Sequence, residues 1–174
     1  MARAHGLPML SHDDSQMETR GFFRELGARI AEFPMNEAVA RDARHAKEHV
    51  VLGAPNVVRG GSHIGSLPAA DMLAQGVCTI LASDYYYPSM LAAAGRLHAE
   101  KRVPLHQIWA AISANPAKAL GLTDRGEIAP GKRADLVLLE WPERGRGFLP
   151  TADLEICIEL AGNGRHLRFA ASTE

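Results

Sequence analysis

Ser11-His12-Asp13-Asp14 sets an imidazole beside two carboxylates directly after a short apolar run. Such a group can ligate a metal through one ring nitrogen while a carboxylate holds the other, or it can be a plain turn with an N-capping aspartate. Asp13 or Asp14 would be that acceptor, or would cap the helix that follows. A second edge of this kind, Ser83-Asp84-Tyr85, ends the apolar run 77–82. A carboxylate delivered there can take a proton from a water whose pKa a cation has lowered toward about 7. Its alternative is an N-cap for the tyrosine-rich segment 85–87. The third concentration is Asn56, Arg59, Gly60, Gly61, Ser62 and His63. An arginine fork clamps phosphate oxygens bidentately, and glycines let backbone amides approach them. The same glycines would otherwise serve only a surface loop.

Strands and helices must bring these three stretches together. The pattern predicts strands over 7–11, 29–33, 49–53 and 77–82, each a short apolar run. Helices are expected over 17–26, with Phe22, Phe23 and Leu26 on one face and Gly27 as the stop, and over 37–48 behind Asn36 as cap. Residues 54–66 read as a long glycine-rich loop, and Pro68 as the start of a short helix to 74. Further helices are expected over 89–101 and 105–120. A strand over 134–140, a linker over 141–150 and strands over 154–160 and 166–170 complete the reading. Strand–helix alternation at this spacing is the mark of parallel α/β architecture, in which catalytic groups gather at the carboxyl ends of strands. His12, Glu32, Asn56 and Asp84 lie at or just past such ends. Glu32 can face the pocket or pair with Arg29 or Arg59. His45, His49, His98 and His106 share no spacing and read as surface or core residues.

Composition narrows the classes. With 174 residues, 47% hydrophobic, 22% charged and a net charge of -1, the chain can bury a core and has no general pull toward nucleic acid or membrane. Cys78 and Cys157 lack metal spacing and suit a reducing cytoplasm, the expected location.

Several motifs occur in an order that resembles one family. They are Ser11-His12-Asp13-Asp14, IAEFP over 30–34, GAPNVVRGGSH over 53–63, Ser83-Asp84-Tyr85, Asn115-Pro116-Ala117 and DRGEIAPGKRADLVLL over 124–139. The chain is similar over about residues 7–140 to the PhnM family, amidohydrolase-superfamily diphosphatases of the carbon–phosphorus lyase pathway. The resemblance implies hydrolysis of α-D-ribose 1-methylphosphonate 5-triphosphate to the 5-phosphate and diphosphate. It also implies a (β/α)8 barrel with a divalent-metal centre, zinc being the expected ion, and a small β domain.

The four strands would then be barrel strands five to eight, the C-terminal half of the barrel. The barrel part occupies 1–122, and part of a β appendage with a divergent tail occupies 123–174. His12 would be a metal ligand. Asp84 would be both ligand and catalytic base. Asn56, Arg59, Gly60, Gly61, Ser62 and His63 would hold phosphate. The family's first four strands, with their His-x-His or His-x-Asp pair, have no counterpart here, so the expectation is a fragment. Its partners would be a small phosphorylated sugar and either a second copy or a separate N-terminal half. The rival readings are another amidohydrolase, a cyclic amidase or deaminase, and a non-catalytic half-barrel module or remnant.

Overall fold

The computed structural model describes residues 2–61 and 67–135. Four strands, β1 (Leu10–His12), β2 (Ile30–Glu32), β3 (His49–Gly53) and β4 (Ile80–Ala82), form one sheet in the order β1-β2-β3-β4. Every neighbouring pair is parallel. Helix α1 (Met17–Leu26) follows β1, and α2 (Glu37–His45) follows β2. After β3 come α3 (Ala54–Arg59) and α4 (Ala69–Ala74), and after β4 come α5 (Ser89–Ala99), α6 (Leu105–Ile112) and α7 (Ala114–Ala119). The α/β expectation holds, with parallel strands as anticipated.

The two faces of the sheet separate cleanly because side chains alternate along a strand. Ala31, Val50, Leu52 and Leu81 pack against Ala40 and Ala43 of α2, Val57 of α3, Met72 of α4, Leu97 of α5 and Ile108 of α6. The opposite face carries Ile30, Val51 and Ile80, with Ala119 of α7 against them. Asn115 donates to Thr79 O at 2.8 Å and anchors α7 at the amino end of β4.

Helix ends follow local chemistry. Asn36 caps α2, its side chain accepting from Val39 N at 3.0 Å, and Gly27 ends α1 as expected. Two expectations need correction. Residues 54–59 are helical rather than loop, because Pro55 sits in the first turn and Gly60 takes the left-handed stop at φ 84°. That is the proline-in, glycine-out asymmetry of a helix. The helix expected over 105–120 breaks at Ser113, whose φ/ψ of -134° and -78° are not helical. The break lets Ser113 Oγ donate to Gly126 O at 2.9 Å. Gly126 is required there: at φ 94° a Cβ would lie 2.6 Å from the Ala117 Cβ. The strands expected over 134–140, 154–160 and 166–170 and the linker over 141–150 lie outside the described residues, apart from 134 and 135.

Helix α1 departs most from its apolar pattern. Phe22 and Leu26 are 57% and 44% exposed, whereas Arg20 is fully buried. Its guanidinium donates to Ala28 O at 2.6 Å and to Asp14 Oδ2 at 3.1 Å, and it also bonds Ser11 Oγ. Its Nε lies 3.1 Å from Glu48 Oε2, an ion pair that is not aligned as a hydrogen bond. Glu48 also accepts from Arg24 Nε at 2.7 Å, and Arg24 reaches Asp42 at 2.6 Å. The Glu48 carboxylate, followed by Asp42, raises the pKa of Arg24 despite partial burial. One network thus joins the end of β1, α1, α2 and the start of β3.

Removing one member of a buried ion cluster leaves the others desolvated and unmatched. Arg20→Met is expected to lower unfolding free energy by about 3–5 kcal/mol, measured by urea denaturation. Arg41→Ala, which breaks an exposed pair with Glu37, should change it by less than about 1 kcal/mol.

His49 sits at the amino end of β3 with Nδ1 3.2 Å from Thr79 Oγ1. Burial, then Arg44 and Lys118, hold its pKa below the usual 6.5. The unfolded chain therefore binds more protons in the window just below 6.5, and stability falls as pH drops through it. His49→Gln should flatten that part of a stability-versus-pH curve.

Candidate active site at the carboxyl end of the sheet

His12, Glu32, Gly53 and Ala82 end the four parallel strands, so the residues after them share one rim. His12 and Glu32 are direct Cα partners across β1 and β2. Alternation puts both on the face that carries Ile30, Val51 and Ile80, away from the buried Arg20 network. The imidazole is half exposed, and its Nδ1 lies 2.9 Å from Asp13 Oδ2. The Phe33 ring meets it edge-on at 5.4 Å between centroids. Asp13 is thus the acceptor for His12, while Asp14 turns inward to Ser11 and Arg20. Backbone bonds tie the two rims together: Asp13 N donates to Glu32 O at 3.0 Å and Met35 N to Asp14 O at 3.0 Å.

Three non-glycine residues at this edge have left-handed backbones: Asp13 at φ 58°, Phe33 at 49° and Asp84 at 53°. Each stands one or two positions past a strand. Strain of this kind collects where side chains are held for a task. Among the described residues the other two such positions, Lys47 and Lys101, lie just past helix ends, where the conformation is ordinary.

Asp84 is exposed two residues beyond β4, in a turn closed by Tyr86 N donating to Ser83 O at 3.1 Å. Buried Ser89 braces that turn by donating to Tyr86 O at 2.5 Å. Tyr85, Tyr86 and Tyr87 are all exposed on the rim. The Arg59 guanidinium lies over the Tyr85 ring, 5.6 Å from its centroid. That cation–π contact brings the end of α3 beside the carboxylate turn.

The sequence expectations for 56–63 divide here. Asn56 is committed within the connection, accepting from Ala69 N at 3.0 Å and donating to Leu67 O at 3.2 Å. Gly60 N and Gly61 N donate to Val57 O and Asn56 O at 3.1 and 3.2 Å. Those amides close α3 and are not a free cradle for phosphate oxygens, which corrects the expectation for the two glycines. Ser62 and His63 lie outside the described residues. Arg59 keeps its guanidinium free of any carboxylate partner among the described residues. Of the two alternatives for Glu32, pairing with Arg29 or Arg59 is not seen among the described residues: Arg29 approaches Glu48 at 3.7 Å. Arg96, which no motif singled out, donates to Val58 O at 2.8 Å beside Gly60 and secures the end of α3. Its only signal was its place one helical turn before Glu100, with which it pairs at 2.6 Å.

Among the described residues no three of His, Cys, Asp and Glu cluster closely enough to form a metal cage. Two strands separate β1 from β4, so His12 and Asp84 are not neighbours. The side chain at this edge suited to help hold a divalent cation is His12, whose Nδ1 is held by Asp13 and whose other ring nitrogen could ligate. Cys78 takes no part. It is fully buried, and burial pushes its thiol up to about 12.

The amidohydrolase family's sequence profile matches residues 2–155. This chain belongs to the amidohydrolase family. Within it, the chain is 44% identical over 140 residues to the alpha-D-ribose 1-methylphosphonate 5-triphosphate diphosphatase of Escherichia coli K12, a match covering 79% of this chain and 37% of that enzyme. An adenine deaminase of Methylobacterium nodulans is 38% identical over 110 residues, 58% of this chain and 20% of that protein. Another from Ligilactobacillus salivarius is 31% identical over 127 residues, 67% and 22% respectively. The amidohydrolase described here therefore has the PhnM-like character that its motifs suggested, and it spans well under half the length of these relatives. No helix among the described residues is long and apolar enough to cross a membrane.

Gly60→Ala tests the end of α3. An L side chain at φ 84° costs about 1–2 kcal/mol, and its Cβ would meet Arg96 Nη2 at 3.0 Å. A loss of that size in thermal or urea unfolding is expected.

Proposed function

We propose that this amidohydrolase acts in phosphonate metabolism as a metal-dependent phosphoanhydride hydrolase, cleaving α-D-ribose 1-methylphosphonate 5-triphosphate to the 5-phosphate and diphosphate. Its four strands correspond, in this reading, to four consecutive strands of a (β/α)8 barrel, and 123–174 to part of a β appendage. The observation that carries the reading is the Arg59–Tyr85 contact, which holds an anion-binding fork beside the Asp84 turn. A planar guanidinium matches phosphate oxygens bidentately. A deaminase of a neutral base has no comparable use for it.

A divalent cation, zinc being the expected ion, supplies Lewis acidity and a lowered water pKa when bound. His12 is the ligand offered through its free ring nitrogen, Asp13 holding the other. Asp84 orients the attacking water and accepts its proton. Arg59 binds the polyphosphate and offsets charge that builds on the departing diphosphate. Tyr85 to Tyr87 give the sugar an aromatic wall. The partners are the phosphorylated sugar and a further polypeptide, either a second copy or the first half of a barrel, against the outer edges of β1 and β4.

The test is diphosphate release from the 5-triphosphate with added zinc or manganese, alongside ammonia release from adenine. Diphosphate alone is expected. Asp84→Asn should lower its rate by about 10²–10⁴-fold. Unchanged turnover in that variant would remove Asp84 from the mechanism, and ammonia in place of diphosphate would overturn the substrate assignment.

A further inference from the structure

We propose that Ser89 is a positioning residue: from the first turn of α5 its hydroxyl clamps the turn that carries Asp84, and so sets where that carboxylate meets the attacking water. The proposal deepens the hydrolase reading and rests on it for the role of Asp84.

The side chain of Asp84 has nothing of its own to hold it in place. No hydrogen bond or ion pair to its carboxylate exists among the described residues. Asp84, Tyr85, Tyr86 and Tyr87 are all exposed, so no packed core surrounds the segment. The Asp84 backbone sits at φ 53°. That conformation costs a non-glycine residue energy and persists only where its surroundings impose it. What aims the carboxylate is therefore the backbone of the turn.

Ser89 is the buried group that grips this backbone. It is fully buried, and its hydroxyl has two carbonyls in reach, Tyr86 O at 2.5 Å and Ser83 O at 3.3 Å. One lies directly before Asp84 and the other two residues after it. A serine that only opened a helix would bond back a single turn; the reach to Ser83 goes beyond that. Both carbonyls also accept from backbone amides, Ser83 O from Tyr86 N at 3.1 Å and Tyr86 O from Ser89 N at 3.0 Å. Removing the hydroxyl therefore leaves no acceptor unpaired, and the fold loses little. What the hydroxyl adds is fixity of the turn.

Helix α5 is a firm base for such a clamp. Ala93, Ala94 and Leu97 anchor it in the core. About two turns beyond Ser89, Arg96 donates to Val58 O at 2.8 Å and holds the end of α3 that carries Arg59. One helix thus steadies both functional groups through separate contacts. Loss of the Ser89 hydroxyl should disturb the step that needs Asp84 and spare the binding that needs Arg59.

Diphosphate release with added zinc or manganese is to be compared in the parent, Ser89→Ala, Asp84→Asn and the double variant. Ser89→Ala should lower kcat about 10–100-fold and leave KM within about 2-fold of the parent. In the Asp84→Asn background it should lower kcat no further, because groups that act as one unit are not additive. Ser113→Ala, which removes a hydroxyl bond elsewhere in the fold, should keep the parent kcat. Amide hydrogen exchange read by mass spectrometry needs neither substrate nor metal. Faster exchange over 84–87 in Ser89→Ala, with 49–53 unchanged, is expected. Parent-like exchange in Ser89→Ala overturns the proposal, as does a rate loss that multiplies with that of Asp84→Asn. Diphosphate release by the parent at a rate indifferent to Ser89→Ala would also overturn it and leave the hydrolase reading standing. No release by the parent, with the faster exchange present, would sink the hydrolase reading and leave the clamp in place.

Discussion

A fully buried guanidinium organises this half of the molecule. Arg20 has no access to water, so each of its donors must find an acceptor inside the protein. Its terminal nitrogens take them from Ser11 in β1, Asp14 just past it and Ala28 ahead of β2, and its Nε is ion-paired, without an aligned hydrogen bond, to Glu48 ahead of β3. No single pair of strands fixes those positions. The guanidinium therefore acts as a template: β1, β2 and β3 must assemble in one register for the charges to match. Buried ion clusters contribute little to net stability against an apolar replacement, yet they penalise wrong arrangements heavily.

That internal constraint has an external counterpart at the rim. Asp14 points in to Arg20, and its neighbour Asp13 turns out to His12. Two adjacent carboxylates thus serve opposite sides of the sheet, one holding the frame and the other orienting the imidazole. The left-handed backbone at Asp13 makes the split geometrically feasible. On the far side, Ser89 braces the Asp84 turn from within α5, and Arg59 bridges from α3 to Tyr85. The candidate site is therefore built from the ends of different units, each fixed to its own helix.

Much of the fold was legible in sequence because burial on both faces leaves a plain apolar run, and caps such as Asn36 and stops such as Gly27 are local. α3 was missed because glycine density around 60 and 61 outweighed the proline at 55, although Gly60 is that helix's own terminator. Phe22 and Leu26 looked like the apolar face of α1, and nothing in the pattern singled out Arg20. Hydrophobic pattern alone assigns charge to the outside, and only the acidic residues at 14 and 48, distant in sequence, reverse the assignment. At the site, the strand ends predicted where His12, Glu32 and Asp84 would lie. Which acidic neighbour serves His12, and whether Glu32 finds an arginine, depends on side-chain partners that no spacing encodes. The amides of Gly60 and Gly61 show the converse: residue type suggested phosphate, and helix termination had already claimed the donors.

The left-handed backbones at Asp13, Phe33 and Asp84 bear on how such a protein can be improved. Glycine or asparagine is more at ease in that conformation than the residues present. A directed-evolution campaign scored only on heat resistance would be drawn to these three codons. It would gain melting temperature while erasing the side chains that line the mouth. Screens on this scaffold therefore need a ligand-dependent readout from their first round.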